Sequence, residues 1–473
     1  MKKQLAKTLS KIVGSENFSD TQIDRLTYAY DATGPQYLPD AVVFPKSVAQ
    51  IAQIMAVANE YRLPVVPRGA GSGLSCGALA VNGGLVMVMA LFKKILEIDP
   101  ANMFAVVEPG VVTAALHAAV ERQGLFYPPD PASMDFSTIG GNIAENAGGM
   151  RAVKYGVTRE YVMGLELVLP TGKVIQTGSK CIKDVVGYDL TNLFVGSEGT
   201  LGIITKAILK LLPKPEARQT LTAAFTRIQQ AVNTVPEIIR QKTIPATLEF
   251  IDRHCLLAVA KQGHLRLPRD TEALLLMDVE GGEGELPSIM EKIRRTCRQN
   301  GATKVEIAAD RTAREQIWEL RRNLTQALGC YAIRGEGEDI VVPRTRIAEI
   351  ITEMDRIAAD FGLFVINFGH AGDGNIHVSL AEKGRPVSEA DVKAASLEIL
   401  KATVRLGGRI AAEHGIGATK RDKIGLNINT EELRLMRGFK ALVDPHNILN
   451  PGKIFPQKIG GASMFGPSLS DAL

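Results

Sequence analysis

The stretch Pro67-Arg68-Gly69-Ala70-Gly71-Ser72-Gly73-Leu74-Ser75-Cys76-Gly77 constrains this chain more than any other. It packs four glycines into eleven residues directly behind the apolar run Leu63-Pro64-Val65-Val66. Glycine lets successive backbone N–H groups turn toward one point and lets a ligand approach without a Cβ in the way. Such a turn is an anion nest suited to a phosphate or pyrophosphate. A dinucleotide turn of Rossmann type must open directly into a helix. Here the loop runs on through Gly77 and Gly83-Gly84 into the strand-like Leu85-Val86-Met87-Val88-Met89, which excludes that version. A tight turn between two buried strands stays open beside the anion cradle on these residues alone.

At 473 residues the chain is long enough for two or three domains, with 45% hydrophobic and 22% charged residues to build and solvate their cores. The net charge of +4, without a dense Lys/Arg tract, gives no basis for nucleic-acid binding. Five scattered cysteines contain no C-x-x-C pair, so the chain holds no cysteine-ligated iron–sulfur cluster of its own and fits a reducing compartment. The basic N-terminus Met1-Lys2-Lys3-Gln4-Leu5-Ala6-Lys7 lacks the apolar run of a secretory signal. The longest apolar run, Leu85 to Phe92, is far shorter than the ~20 residues that span a bilayer. A soluble, cytoplasmic protein is expected.

In chain order, residues 1–30 read as helical, with Leu5, Leu9, Ile12 and Val13 on one face. Ser47 reads as the N-cap of a helix through Tyr61 that buries Ile51, Ile54, Met55 and Ala58. Strand, turn and helix follow from Val106 to Arg122. The segment Tyr127 to Gly149 holds so many prolines and glycines that it predicts irregular backbone laid over something, or a plain surface loop. A third glycine cluster, Gly196 to Gly202, precedes a proline-flanked boundary at Pro215. Beyond it, strands are expected at Leu274–Glu280 and as a pair over Gly362–Leu380. Helices are expected at Leu286–Asn300, Arg311–Leu328, Ser388–Leu406 and Glu431–Leu442, with a turn at Asn450-Pro451-Gly452-Lys453. The domains expected are 1–215, 216–430 carrying a metal site, and a C-terminal segment 431–473 returning to the first.

The motif Gly369-His370-Ala371-Gly372-Asp373-Gly374-Asn375-Ile376-His377 puts two histidines on either side of one hairpin, where they can converge on a divalent ion. Glu413, in Ala411-Ala412-Glu413-His414-Gly415-Ile416-Gly417, is the third ligand expected, with His414 beside it. Spacing alone also admits unrelated surface or core histidines, but three of the chain's seven histidines fall in these two glycine-flanked motifs. Arg321 and Thr325, four apart on the expected helix, would share a face and offer a guanidinium fork to a substrate carboxylate. A solvated helix face fits the same spacing.

These residues carry a resemblance. The chain resembles the flavoprotein family of FAD-dependent D-lactate dehydrogenases, glycolate oxidase FAD-binding subunits and D-2-hydroxyglutarate dehydrogenases, which share the vanillyl-alcohol-oxidase fold. It does so over nearly its whole length and in seven ordered motifs: 67–77, 128–131, 138–149, 196–203, 370–377, 413–417 and 450–453. The resemblance implies an α+β architecture, with a two-part FAD-binding domain and an α+β cap domain built on an antiparallel sheet. It also implies non-covalent FAD, since no histidine stands in the 67–77 loop. The cofactor residues it implies are Pro67, Arg68, Gly69, Ala70, Gly71, Ser72, Gly73 and Ser75 at the pyrophosphate loop. Pro129, Asp130, Ser133, Thr138, Gly140, Gly141, Asn142, Asn146, Gly148 and Gly149 come from the second segment, and Glu198, Gly202, Ile203 and Asn450 complete the set.

The resemblance further implies a metal held by His370, His377 and Glu413, zinc first and manganese or iron also acceptable to that donor set. His414 would be the catalytic base, and Arg321, Thr325 and Asn375 would bind the substrate acid. Dicarboxylate-specific members carry a lysine shortly before a D-x-x-x-P stretch. Here Gly337 and Glu338 precede Asp339-Ile340-Val341-Val342-Pro343, which weighs against 2-hydroxyglutarate. The reaction expected is oxidation of a small D-2-hydroxy acid, D-lactate to pyruvate first and glycolate or D-2-hydroxyglutarate as alternatives. Electrons would pass to an outside acceptor: an electron-transfer flavoprotein, an iron–sulfur subunit or a quinone. A homodimer and peripheral membrane association through a partner are compatible with it. The rival classes are a non-redox FAD transferase on the same fold and a flavin-free metal hydrolase.

Overall fold

The computed structural model describes residues 2–260 and 267–456. They form two compact units: 2–147, 157–214 and 413–456 make the first, and 148–156 with 215–260 and 267–412 make the second. The break at 214/215 falls at the proline-flanked stretch. The return comes at Glu413, earlier than the expected 431, and residues 457–473 of the expected C-terminal segment lie outside the described residues.

In the first unit, the helix Val48–Tyr61 begins where Ser47 accepts a hydrogen bond from the Gln50 N–H, and it buries Ile51, Ile54, Met55 and Ala58. Those four side chains join Val65, Leu85, Met87 and Leu449 in one apolar core. The strands Val65–Arg68 and Leu85–Val88 pair in parallel, so the glycine loop links two parallel neighbours without a helix. A second, five-stranded sheet runs in the order 95–99, 104–107, 203–210, 162–168, 174–178, and is antiparallel throughout.

Three expectations fail here, each for a tertiary reason. The N-terminal thirty residues are two short helices, Lys3–Val13 and Gln22–Thr27, separated by a short strand that pairs with Ala41–Val43. The glycine-rich second segment contains a helix, Ile139–Glu145. Helix propensity argues against Gly140-Gly141, but a Cβ on Gly140 would lie 2.5 Å from Pro109, so close packing requires glycine there. Residues 148–156, with Gly148 and Gly149, belong to the second unit rather than to the expected cofactor domain.

The second unit is built on a seven-stranded antiparallel sheet in the order 302–307, 217–225, 273–281, 247–252, 363–370, 375–382, 333–341. Helices Leu286–Gln299 and Glu389–Arg405 form as their periodicity predicts, and Ile347–Asp360 is a further helix of this unit. The expected helix 311–328 does not run through. It ends at Arg322, Asn323 turns the chain, and a four-residue helix Leu324–Ala327 follows. Arg321 is consequently buried while Thr325 is exposed, so the two do not share a face.

Candidate active site

The histidine motif is a hairpin, Leu363–His370 and Asn375–Glu382, closed by the turn 371–374. A Cβ on Gly374 would lie 1.9 Å from the Val342 carbonyl oxygen, so only glycine closes it. In register, His370 pairs with Asn375 and Phe368 with His377. His370 and His377 are therefore diagonal neighbours on one face of the sheet, with ring centroids 5.2 Å apart and planes nearly perpendicular.

Each histidine meets a buried carboxylate on the next strand out. Asp339 pairs directly with His377 across the ladder, its Oδ1 3.5 Å from Nδ1. Glu249 stands one step before Phe250, the partner of Gly369, and its Oε1 lies 2.6 Å from His370 Nδ1. Four adjacent strands thus carry a row of Glu249, His370, His377 and Asp339. Both Nδ1 atoms face carboxylates, and this oxygen-and-imidazole donor set fits a divalent ion.

Glu249 Oε2 also accepts from Arg321, at 2.8 Å from Nε and 2.7 Å from Nη2. Burial alone raises the Glu249 pKa, but the charges of His370 and Arg321 outweigh it and hold the carboxyl below its ordinary value. Phe368 lies under the guanidinium at 4.8 Å. The expected fork is thus half used inside the protein: the Nε–Nη2 edge belongs to Glu249, and the Nη1–Nη2 edge is what Arg321 can offer an acid. Asn375 donates to Asp339 Oδ1 at 2.7 Å and to the Ile340 carbonyl oxygen at 2.9 Å, so its amide hydrogens serve the sheet and its carbonyl oxygen is the group left for a ligand. The Ala412 N–H donates to Asp339 Oδ2 at 2.9 Å. Glu413 and His414 are the next two residues of the chain, His414 Nε2 lying 3.9 Å from Glu413 Oε1.

In the first unit the expected cofactor residues divide into two kinds. Ser75 Oγ and Thr138 Oγ1 are buried hydroxyls without a hydrogen-bond partner, which is costly unless a polar ligand satisfies them. Gly69 lies beside Thr138, where a Cβ would sit 2.3 Å from Oγ1. These orphaned hydroxyls beside glycine backbone fit a flavin dinucleotide. The other side chains hold the loops. Arg68 donates to the Tyr30 carbonyl oxygen at 2.9 Å, Asn142 to Thr113 Oγ1 at 2.8 Å, and Asn450 to the carbonyl oxygens of Gly77 and Glu198 at 2.9 and 2.8 Å. Asn146 Oδ1 accepts from the Arg159 N–H at 2.9 Å, and the Pro129 carbonyl oxygen meets His117 Nε2 at 2.9 Å. Asp130 is buried and Ser133 half-buried. Gly202 and Ile203 lead into the strand 203–210.

Glu198 belongs with the holding residues. Its carboxylate accepts from the N–H groups of Ile416 at 2.8 Å and Gly417 at 2.7 Å, fixing the loop that follows His414. A Cβ on Gly417 would fall 1.8 Å from the Ser75 carbonyl oxygen. Sequence reasoning missed Glu249, Glu145 and the role of Asp339. For Glu249 a signal exists, a carboxylate set between the apolar Leu248 and Phe250 of one strand, but its partners lie 72 and 121 residues away.

An FAD cradle on one unit and a histidine–carboxylate row with a buried arginine on the other define an FAD-linked oxidoreductase. Residues 39–178 match the FAD binding domain model and residues 214–454 match the C-terminal domain of FAD linked oxidases. The chain is 46% identical to the glycolate oxidase subunit GlcD of Bacillus subtilis, over 96% of this chain and 97% of that one. It is 35% identical to a D-lactate dehydrogenase of Anaerostipes hadrus, over 94% of each. The chain belongs to this family of FAD-linked oxidases, as its motifs led us to expect. The structure of p-cresol methylhydroxylase superposes with a TM-score of 0.76 over 95% of this chain and 96% of that one, at 18% identity, a likeness of fold alone. Among the described residues no helix is long and apolar enough to cross a membrane.

Proposed function

We propose that this chain oxidises a small 2-hydroxy acid, D-lactate or the achiral glycolate, to the 2-oxo acid and passes the electrons to an external acceptor. The observation that carries the reading is one carboxylate, Glu249, shared by Arg321 and His370. An α-hydroxy acid has its carboxylate and hydroxyl on adjacent carbons, which suits a guanidinium beside an imidazole pair. The identity to a glycolate oxidase subunit supports glycolate beside D-lactate.

In this reading the Nη1–Nη2 edge of Arg321 binds the substrate carboxylate as a fork. His414 takes the hydroxyl proton as general base, a role that contributes about 10²–10⁴-fold. His370, His377 and Glu413 hold a divalent ion, which when bound supplies a Lewis acid for the hydroxyl. The glycine loop, Ser75 and Thr138 hold FAD, which when bound supplies the acceptor for the hydride equivalent leaving Cα. The cysteine pattern offers no second redox centre, and the name of the Bacillus relative describes a subunit; both support an acceptor on another protein.

Anaerobic mixing of the purified protein with D-lactate, L-lactate, glycolate and D-2-hydroxyglutarate, followed by flavin absorbance, tests this. Bleaching by D-lactate or glycolate but not by L-lactate is expected. No bleaching by any of the four, with FAD present, would sink the proposal. His414→Ala should bind FAD normally and lose nearly all of the bleaching.

A further inference from the structure

We infer that Glu249 is a positioning residue that couples the metal ligand His370 to the acid anchor Arg321, so that metal affinity and acid affinity rise and fall together. The inference rests on the reading above.

Glu249 sits mid-strand with no side-chain exposure, where an unpaired carboxylate is strongly disfavoured. Both of its oxygens are committed: Oε1 to His370 Nδ1 at 2.6 Å and Oε2 to Arg321 Nε and Nη2 at 2.8 and 2.7 Å. A carboxylate only accepts, so His370 Nδ1 must carry a hydrogen toward Glu249, which fixes the orientation of the ring. The same carboxylate takes one edge of the guanidinium, leaving the opposite edge as the only complete fork. Phe368 beneath the guanidinium fixes its plane. Arg321 and His370 therefore reach their working orientations through one group that touches neither substrate nor metal. Glu280 is the internal comparison. It is an equally buried carboxylate of the same sheet, bonded by Arg218 at 3.0 Å, Lys154 at 3.4 Å and Tyr155, with no histidine among these partners.

The test is calorimetric titration of zinc(II) and manganese(II) into metal-stripped, FAD-loaded protein. The proteins are wild type, Glu249→Gln, Glu280→Gln and the double variant Glu249→Gln/Arg321→Gln, which removes both buried charges should the single variant fail to fold. A glutamine has one acceptor oxygen, so it can serve only one of the two partners. The metal dissociation constant should rise about 10–100-fold in both Glu249 variants. The KM for the acid should rise in Glu249→Gln, and Glu280→Gln should match wild type in both. Unchanged metal affinity in the Glu249 variants overturns the inference, as does an equal loss in Glu280→Gln, which would mark general softening of the sheet. A wild-type protein that binds neither ion overturns the metal reading itself, and this inference with it.

Discussion

Glu249 in the second unit and Glu145 with Glu198 in the first are glutamates withdrawn from solvent, Glu249 and Glu198 buried and Glu145 half-buried, yet they titrate in opposite directions. Glu249 is held below its ordinary pKa because His370 and Arg321 face it and outweigh the effect of burial. Glu145 is pushed well above its ordinary value by burial, and the negative charges of Glu198 and Asp31 push it further. The two acids crowd one glycine: a Cβ on Gly415 would lie 2.5 Å from Glu145 Oε2 and 3.2 Å from Glu198 Oε1. The amine that acts on this cluster, Lys453, is itself lowered to about 8 by burial and spends its hydrogens on the Leu79 carbonyl oxygen and Asn450 Oδ1. Burial makes a carboxyl costly to ionise in both places, and the sign of the final shift is set by which charges face it. One region is arranged to hold an anion, the other to keep a proton.

The largest expected effect comes from removing the cation on the ionised side. Arg321→Leu leaves Glu249 buried with His370 but without its cation, which should cost about 3–5 kcal/mol. A clear fall of the thermal unfolding temperature is the expected readout, and an unchanged temperature would break the contrast between the regions. A smaller effect is expected at Glu198, whose two oxygens serve as backbone acceptors. Glu198→Ala strands the N–H groups of the half-buried Ile416 and the buried Gly417, at about 1–3 kcal/mol for the buried donor left unpaired. Hydrogen exchange at those two amides should accelerate in the variant; retained protection would show that the loop does not depend on Glu198.

The smallest effect is confined to pH. Because the folded-state pKa of Glu145 is raised, its contribution to stability is fully present below the unfolded value near 4.5 and is lost as pH rises toward the folded value. Glu145→Gln has nothing to ionise. Its melting temperature relative to wild type should therefore climb from pH 4 to pH 8, and a constant difference across that range would refute the assignment of a raised pKa.

Much of the scaffold was legible in order along the chain. Ser47 announces the helix it caps, the alternation over 363–382 announces the hairpin, and the strand after Gly84 excludes a Rossmann turn, because capping and side-chain periodicity are local properties. The helix at Ile139–Glu145 was not legible, since Gly140 is there for the approach of Pro109, thirty-one positions earlier. The break at Asn323 escaped for a related reason: the amphipathic pattern continues through it, and only burial of Arg321 against Glu249 shows which side faces in.

The site divides in the same way. The sequence by itself determined the chemistry available: two histidines bracketing a glycine turn, a Glu-His pair, an arginine near a helix end, and glycine loops fit for a dinucleotide. Only the tertiary structure decided the partners. Strand order brought Glu249 opposite His370 and Asp339 opposite His377. Loop packing made Glu198, Asn142 and Asn450 ties that hold the cradle together, a role the sequence did not announce. Residue identity is written along the chain, but a buried charge is defined by its neighbours, and those are set by pairing between strands that lie far apart in the sequence.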